Sequence, residues 1–230
     1  MSKIITLEMK KFNMKGKITG FVIANLVILF FILVLIFESR VDEELAFETY
    51  SMSFQMINAM VGATFIIFAS TLLAKTVIGE YKNKTITLLF MYPVNRKKLI
   101  FAKLFIIMAF TFSAIVLSDI FQEFALYIMN TLHPFIPDRL TRALIYDNLM
   151  NIIMYAFAAS GMALIPLFFG MLRKSVSATI ITSIIIVSIV YSNDGERSLL
   201  NIIIIPIILG IIGIFVAYLS FRNIEHVDVS

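Results

Sequence analysis

Residues 79–103, GEYKNKTITLLFMYPVNRKKLIFAK, form the longest polar interruption between two apolar runs of this chain. Seven of the chain's basic residues lie in it or beside it: Lys75, Lys82, Lys84, Arg96, Lys97, Lys98 and Lys103. Four apolar residues recur in it at the spacing of one helix face: Ile86, Leu89, Phe90 and Pro93. The stretch is therefore predicted to be a polar loop that carries one short amphipathic helix.

The composition places the chain among membrane proteins. Its 230 residues are 60% hydrophobic and 15% charged, whereas soluble domains average about 45–50% apolar and about 25% charged residues. There is no cysteine, which excludes disulfides and thiolate metal sites. The basic residues flank the apolar runs, as expected beside anionic lipid, so membrane lipid rather than nucleic acid is the predicted contact.

Six apolar runs are predicted to cross the membrane as helices. They lie at about residues 18–37, 54–78, 99–129, 148–172, 176–191 and 199–219. The first run would be about 30 Å long as a helix, which matches the hydrocarbon core of a bilayer. It is longer than the apolar region of a signal peptide, and no A-x-A-like cleavage site follows it. A retained first transmembrane helix is therefore predicted.

Arg173 and Lys174 are predicted to separate the fourth run from the fifth. One helix through residues 148–191 would be about 66 Å long, far longer than a bilayer is thick. The predicted fold class is therefore all-α integral membrane, with six transmembrane helices in one domain, residues 1–230. The N-terminal residues 1–17 carry five lysines and a weak apolar stripe. They are predicted to form an interfacial helix, with a solvated basic tail as the alternative.

The distribution of Lys and Arg predicts which ends of the helices face the cytoplasm. With six spans, fifteen Lys and Arg residues fall on the side of the two termini, and four fall on the other side. The four are Arg40, Arg139, Arg142 and Arg197. By the positive-inside rule, the N-terminus, the C-terminus and the 79–103 loop are cytoplasmic. The predicted location is the cell membrane, crossed several times.

Sequence motifs for catalysis are missing from the chain. It has no G-x-x-x-x-G-K-[ST] loop for nucleotide phosphates, no H-E-x-x-H zinc motif and no G-x-S-x-G nucleophile elbow. His133 and His226 are predicted to lie on opposite sides of the membrane. No catalytic residue and no metal ligand is therefore predicted, and the chain is expected not to be an enzyme.

The basic triplet Arg96–Lys98 opens the third predicted helix. Positive charge in a first turn opposes the helix dipole by roughly 0.3–1 kcal/mol per residue. Attraction to an anionic leaflet offers about 1 kcal/mol per residue. Because these contributions nearly cancel, helix stability does not explain the triplet. The spacing alone leaves two explanations open, a basic loop that touches only lipid and a docking surface for a partner.

The loop resembles the first cytoplasmic loop of ABC-2 type permeases, which are the membrane subunits of ATP-binding cassette transporters. An acid, a threonine, paired leucines, Pro-Val-polar-Arg and a lysine entering an apolar helix follow in that order. The matching positions are Glu80, Thr85, Leu88, Leu89, Pro93, Val94, Asn95, Arg96 and Lys103. The chain departs from the family's usual pattern at Lys84, where Gly is common, and at Asn95, where Ser is frequent.

The resemblance implies a short cytoplasmic coupling helix between helices 2 and 3 that docks on a separate ATPase subunit. The implied coupling residues are Glu80, Thr85, Leu88, Leu89, Pro93, Val94 and Arg96. ATP and Mg would be held by that partner, with no cofactor in this chain. A second permease, the same or a related chain, is implied as well. Size and layout resemble small six-span exporters of bacitracin, lantibiotic and modulin type, which implies peptide export and antibiotic resistance.

Polar residues within the predicted spans are candidates for a substrate path. These residues are Asn25, Gln55, Asn58, Asp119 and Glu123. The alternative for the amides is hydrogen bonding between helices, worth about 0.6 kcal/mol on average. Asp119 and Glu123 lie on one helix face at i, i+4 and could form an acidic exit gate for a cationic peptide. The alternative for this pair is a solvated position at the membrane interface.

Small residues in the fourth run predict close helix packing. Ala156 and Ser160, like Ala159 and Ala163, have small-xxx-small spacing, and Gly161 lies between them. A dimer interface and a contact within the chain are equally compatible with this spacing.

The predicted function is the membrane-spanning subunit of an ATP-driven exporter. Two alternatives remain open from the sequence. One is a channel or secondary transporter that works without an ATPase, and the other is a membrane anchor for a partner protein.

Overall fold

The computed structural model describes residues 6–9, 14–41, 49–82, 96–191, 193–194, 197–198 and 204–222. Residues 6–9 are helical. The longer α-helices are α1 (Met14–Val41), α2 (Tyr50–Leu73), α4 (Arg96–Leu132), α5 (Arg142–Met162), α6 (Ile165–Arg173), α7 (Val176–Val190) and α8 (Ile204–Arg222). A π-helix (Ala74–Ile78) and the short α3 (Gly79–Lys82) continue α2. The strands β1 (Asn193–Asp194) and β2 (Arg197–Ser198) pair antiparallel, with Asp194 opposite Arg197.

Four helical segments in the described ranges are long and apolar enough to cross a membrane. They are Gly16–Glu38, Tyr50–Ile78, Lys97–Leu132 and Arg142–Arg173. Two further apolar helical segments, Val176–Val190 and Ile205–Ser220, are shorter. The fifteen residues of α7 span about 22 Å, less than the roughly 30 Å of a hydrocarbon core. The helical membrane class is confirmed, whereas the number of six spans stays a prediction.

The second helix begins four residues before its predicted start at residue 54. The side chain of Thr49 accepts a hydrogen bond from the amide of Met52 at 3.2 Å and so caps the first turn of α2. At its other end, α2 passes without interruption into the π-helix and α3. The polar residues at 79–82 are therefore helical rather than part of a loop. The predicted coupling helix, at residues 86–93, lies outside the described residues.

The fourth predicted span is interrupted, and it is separated from the fifth at the predicted place. Helix α5 ends at Met162, and α6 begins at Ile165 with Pro166 in its first turn, where a missing amide hydrogen removes no helical bond. Helix α6 ends with Lys174 in the left-handed conformation, at φ 45°. The amide of Ser175 then donates to the carbonyl of Gly170 at 3.2 Å, as in a Schellman motif. The predicted break at Arg173 and Lys174 is confirmed.

The small residues of α5 pack within this chain. A Cβ atom built on Gly161 would lie 2.5 Å from the carbonyl oxygen of Gly210 in α8. One built on Gly210 would lie 2.8 Å from the carbonyl oxygen of Ala158. The four residues with small-xxx-small spacing are also buried: Ala156, Ala159, Ser160 and Ala163. Of the two interpretations of this spacing, the intramolecular contact is the one found.

The core lies around α2, while α1 is at the outside. Val61, Phe65 and Ile66 of α2 are fully buried. On α1, Phe30 and Phe37 are among many exposed apolar side chains, as expected for a helix that faces lipid. Helix α4 has 37 residues and is about 55 Å long, so it extends beyond the hydrocarbon core. It passes from the 79–103 segment to the other end of the helical bundle.

Candidate coupling and transport site

A buried lysine connects three separate parts of the chain. The side chain of Lys103, on α4, is 5% exposed, and its ammonium lies 2.5 Å from Glu80 Oε2 and 3.7 Å from Glu8 Oε2. It also donates to the carbonyl oxygen of Thr76 at 3.2 Å. A buried charge is tolerated when it is paired and hydrogen-bonded. We call Lys103, Glu80, Glu8 and Thr76 the lysine cluster.

The lysine cluster joins the two ends of the 79–103 stretch. Glu80 lies in α3, just before residues 83–95, and Lys103 lies on α4, just after them. Thr76 belongs to the π-helix, where the carbonyls are spaced for i→i+5 bonds, and such segments are frequent at functional sites. Glu8 adds the N-terminal segment to the same ammonium. The Lys103 ammonium therefore connects the N-terminal segment, the π-helix with α3, and α4.

The predicted coupling residues divide into described and undescribed ones. Glu80 is directed at Lys103 and is 15% exposed. Arg96 is the first residue of α4, but its side chain lies outside the described residues. So do the remaining predicted coupling residues Thr85, Leu88, Leu89, Pro93 and Val94. The coupling role of all seven residues stays a prediction. Glu8 was not predicted, although it is an acid within the basic N-terminal segment.

Two amides connect α1 to α4. Asn25 Nδ2 donates to Ser118 Oγ at 2.9 Å and to the carbonyl oxygen of Phe21 at 3.0 Å. Gln122 Nε2 donates to the carbonyl oxygen of Asn25 at 2.9 Å and to its Oδ1 at 3.2 Å. For Asn25, this arrangement supports hydrogen bonding between helices. Gln122 was not predicted as a site residue, although it lies between Asp119 and Glu123.

Asp119 and Glu123 both turn towards the protein interior. Asp119 is completely buried, and its two carboxylate oxygens have no hydrogen-bond partner among the described residues. Glu123 accepts hydrogen bonds at 2.8 Å on both carboxylate oxygens from Asn148 Nδ2 of α5. The alternative of a solvated interfacial pair is therefore wrong for Asp119, because α4 presents this face to neighbouring helices instead of to water.

Two tyrosines lie beside this acidic pair. The hydroxyl of Tyr155, on α5, donates to the hydroxyl of Tyr191, the residue that follows α7. Gly62 of α2 faces them, and a Cβ atom at this position would lie 2.7 Å from the Tyr155 hydroxyl. A side chain larger than glycine at this position would displace at least one of the two hydroxyl groups.

A cavity of about 520 Å³ opens between α2, α5 and α8. Its polar wall residues include Gln55 and Asn58 of α2 and Asp147, Asn148 and Tyr155 of α5. Of the five predicted path residues, the structure therefore places two in the cavity wall, Gln55 and Asn58. Glu123 is hydrogen-bonded to the wall residue Asn148, and Asp119 is not among the described residues that line the cavity. Asn25 is not among the described residues that line the cavity. Whether any of these five residues lines a substrate path stays a prediction.

Comparison with known proteins identifies the family. The sequence profile of a family described as "ABC-2 family transporter protein" matches residues 4–192. The chain belongs to the ABC-2 transporter family. An "Uncharacterized protein YcbO" of Bacillus subtilis (strain 168) is 38% identical to it over 225 residues, which cover 98% of this chain and 99% of that protein. No solved structure matches the chain.

Membership of the ABC-2 family has consequences for function. Proteins of this family are membrane components of transporters and generally not catalysts, and the family implies association with an ABC ATPase. The matched region contains the lysine cluster and the α2 and α5 walls of the cavity, whereas α8 lies beyond it. Among the described residues, no group of three or more His, Asp or Glu side chains is arranged to hold a metal ion.

Proposed function

We propose that this ABC-2 protein is the permease subunit of an ATP-driven exporter. It would pair with a second permease, the same or a related chain, and with two copies of a separate ATPase that hold ATP and Mg. The observation that carries this proposal is the lysine cluster. One buried ammonium joins the N-terminal segment, the end of the α2 helix and the start of α4, on either side of residues 83–95.

The cluster offers a physical route for coupling. A motor protein that presses on residues 83–95 would displace α3 and α4 together, because Glu80 and Lys103 are paired across that segment. Helix α4 continues without interruption to Asp119, about 24 Å further along the helix axis. A push at the cytoplasmic end can therefore move the acidic pair relative to α5. ATP-driven gating requires an element with two arrangements. The ATPase must bind one of these arrangements more tightly than the other.

Direction, location and substrate class belong to the same proposal. The excess of Lys and Arg at the 79–103 end supports cytoplasmic termini in the cell membrane. Resemblance to small six-span exporters supports export of a peptide antibiotic, a peptide toxin or another amphipathic peptide. The proposed path runs along Gln55, Asn58, Asp119 and Glu123.

Charge reversal at Arg96 tests the coupling assignment. The tagged chain would be purified in mild detergent from the organism that encodes it. The ATPase activity that co-purifies with the chain would then be measured in lipid. Arg96→Glu is expected to reduce the co-purified ATPase activity at least about tenfold, the effect of losing a charge-assisted contact of roughly 1.4 kcal/mol or more. Arg142→Glu is the matched control, because Arg142 is also the first residue of its helix.

The outcomes separate the proposed function from its alternatives. Unchanged ATPase activity in Arg96→Glu protein that is still inserted would refute the coupling assignment. Flux through the purified chain without any ATPase would point to a channel or secondary transporter. Binding of a partner without substrate flux would point to a membrane anchor.

A further inference from the structure

The cavity between α2, α5 and α8 has the size of a small-molecule site. Its volume of about 520 Å³ lies within the roughly 300–1,000 Å³ that is usual for ligand pockets. Phe54, Leu144, Met154 and Ile207 supply apolar wall, while polar side chains of α2 and α5 supply the rest. A cavity of this composition fits one amphiphilic group, with a polar head and a short apolar body, better than a whole folded peptide.

Asn148 presents a hydrogen-bond acceptor to this cavity. Both oxygens of the Glu123 carboxylate accept from Asn148 Nδ2. Because a carboxylate only accepts, it fixes the amide with its NH₂ group towards Glu123 and its carbonyl oxygen on the opposite side. Asn148 also lines the cavity. Glu123 therefore acts as a positioning residue for an acceptor in the wall.

Further acceptors near the cavity lack a donor. Asn58 lines the cavity, and its buried side-chain carbonyl oxygen has no hydrogen-bond partner among the described residues. Both carboxyl oxygens of Asp119, on the same face of α4 as Glu123, also have no hydrogen-bond partner among the described residues. Buried polar atoms are normally hydrogen-bonded, and orphaned ones require an explanation. Here all of these atoms are acceptors, so the complementary group is a donor.

The charges around the cavity have one sign. Asp147 is the single carboxylic acid among the described wall residues, and none of these residues is Lys, Arg or His. Glu123 lies directly behind Asn148. Arg142, the nearest base along α5, is exposed and is not among the described wall residues. Phe54 and Tyr155 add aromatic rings to the wall, and the faces of aromatic rings attract cations.

We propose that this cavity binds an organic cation, an ammonium group attached to a short apolar body. The ammonium would donate to Asn148 and the neighbouring acceptors, and the apolar body would lie against Phe54, Met154 and Ile207. The further claim that this cation is transported rests on the proposed exporter function. The claim that the cation binds in the cavity does not depend on that function.

Binding can be measured with a matched pair of fluorescent probes. Dansylcadaverine carries a primary ammonium on an apolar body, and its N-acetyl derivative has the same body without the charge. The full chain would be placed in nanodiscs of phosphatidylcholine without any ATPase, and probe anisotropy would be titrated. The amine is expected to bind about tenfold more tightly than its acetylated form, the effect of one charge-assisted contact.

Three variants locate the site. Asp147→Asn removes the exposed acid of the wall and is expected to weaken amine binding roughly threefold. Glu123→Gln frees the Asn148 amide to rotate and is expected to weaken it about tenfold. Asp138→Asn is the control, because Asp138 is also an exposed acid but is not among the described wall residues. None of the three changes should alter binding of the acetylated probe.

The results decide the inference independently of ATPase coupling. Equal affinities for the two probes, or amine binding that Asp147→Asn and Glu123→Gln leave unchanged, would overturn it. Asp147→Asn alone decides the matter if Glu123→Gln does not yield folded protein. Because no ATPase is present, a failure here leaves the coupling proposal untouched. A failure of the Arg96 test leaves the binding result untouched in the same way.

Discussion

Replacement of Lys103 by methionine removes the charge on which the lysine cluster depends. Methionine keeps most of the apolar stem but cannot donate to Glu80 Oε2 or to the carbonyl oxygen of Thr76. The side chain of Lys103 is 5% exposed, that of Glu80 15% and that of Glu8 12%. Water therefore solvates little of the charge that the two carboxylates would carry without the ammonium. Removal of one partner from a buried ion pair costs about 3–5 kcal/mol, and we expect Lys103→Met to lower the free energy of unfolding by that amount.

A double-mutant cycle separates the pair from its surroundings. In Glu80→Gln protein, Lys103 keeps Glu8 and the Thr76 carbonyl, so a smaller loss of about 1–2 kcal/mol is expected. The double variant should be more stable than Lys103→Met alone, because its buried carboxylate has also been removed. A coupling energy of roughly 1–3 kcal/mol follows for two groups in direct contact.

The assay is reversible unfolding of the full chain in detergent micelles by added SDS, followed by far-UV circular dichroism and extrapolated linearly to zero SDS. Lys98→Met is the matched control, since Lys98 is an exposed lysine on the same helix. This change should lower the free energy of unfolding by less than about 1 kcal/mol. Additivity of the Lys103 and Glu80 changes within about 0.5 kcal/mol would refute the described pairing. So would a Lys103→Met variant no less stable than Lys98→Met.

Two further predictions concern packing and topology. Gly161→Ala is expected to lower the free energy of unfolding by about 1–3 kcal/mol in the same SDS assay, because the new Cβ would lie 2.5 Å from the Gly210 carbonyl oxygen. Gly16→Ala is the control and should not lower it, because a Cβ at Gly16 would have nothing within 4 Å. Equal effects of the two changes would contradict the close α5–α8 contact. The chain has no cysteine, so a single introduced cysteine can be labelled uniquely in intact cells by a membrane-impermeant maleimide. Arg139→Cys should react from outside and Lys174→Cys only after permeabilisation; reaction of both from one side would exclude the six-span arrangement.

Much of the fold could be predicted because its signals are local. Apolar runs of about twenty residues are longer than those in helices of soluble proteins, so the membrane class follows from composition and length. The break at Arg173 and Lys174 follows from the limited thickness of a bilayer. Helix ends were less predictable: α2 begins at Tyr50 because Thr49 caps it, and residues 79–82 stay helical. These ends depend on hydrogen bonds and neighbouring helices as well as on hydrophobicity.

The site was less predictable, because its residues meet across long separations in sequence. Glu80 and Lys103 were both found through the resemblance, yet nothing in the sequence indicated that they pair with each other or with Glu8. Asp119 could be placed on one helix face with Glu123, but periodicity does not say whether that face meets water or protein. Gln122 lies on the same helix and was missed because its partner, Asn25, is 97 residues away.

The sequence by itself determined which segments are apolar enough to enter lipid, where basic residues collect and which family the 79–103 segment resembles, and it predicted the sidedness of the chain. These properties depend on residues that are neighbours along the chain. The tertiary structure alone decided that Lys103 contacts two carboxylates, that the small residues of α5 pack against α8, and that Asn58, whose carbonyl oxygen is unpaired, lies in the wall of a cavity. The physical reason is that such contacts depend on how each helix is rotated and shifted against the next, and this is set by packing between distant segments.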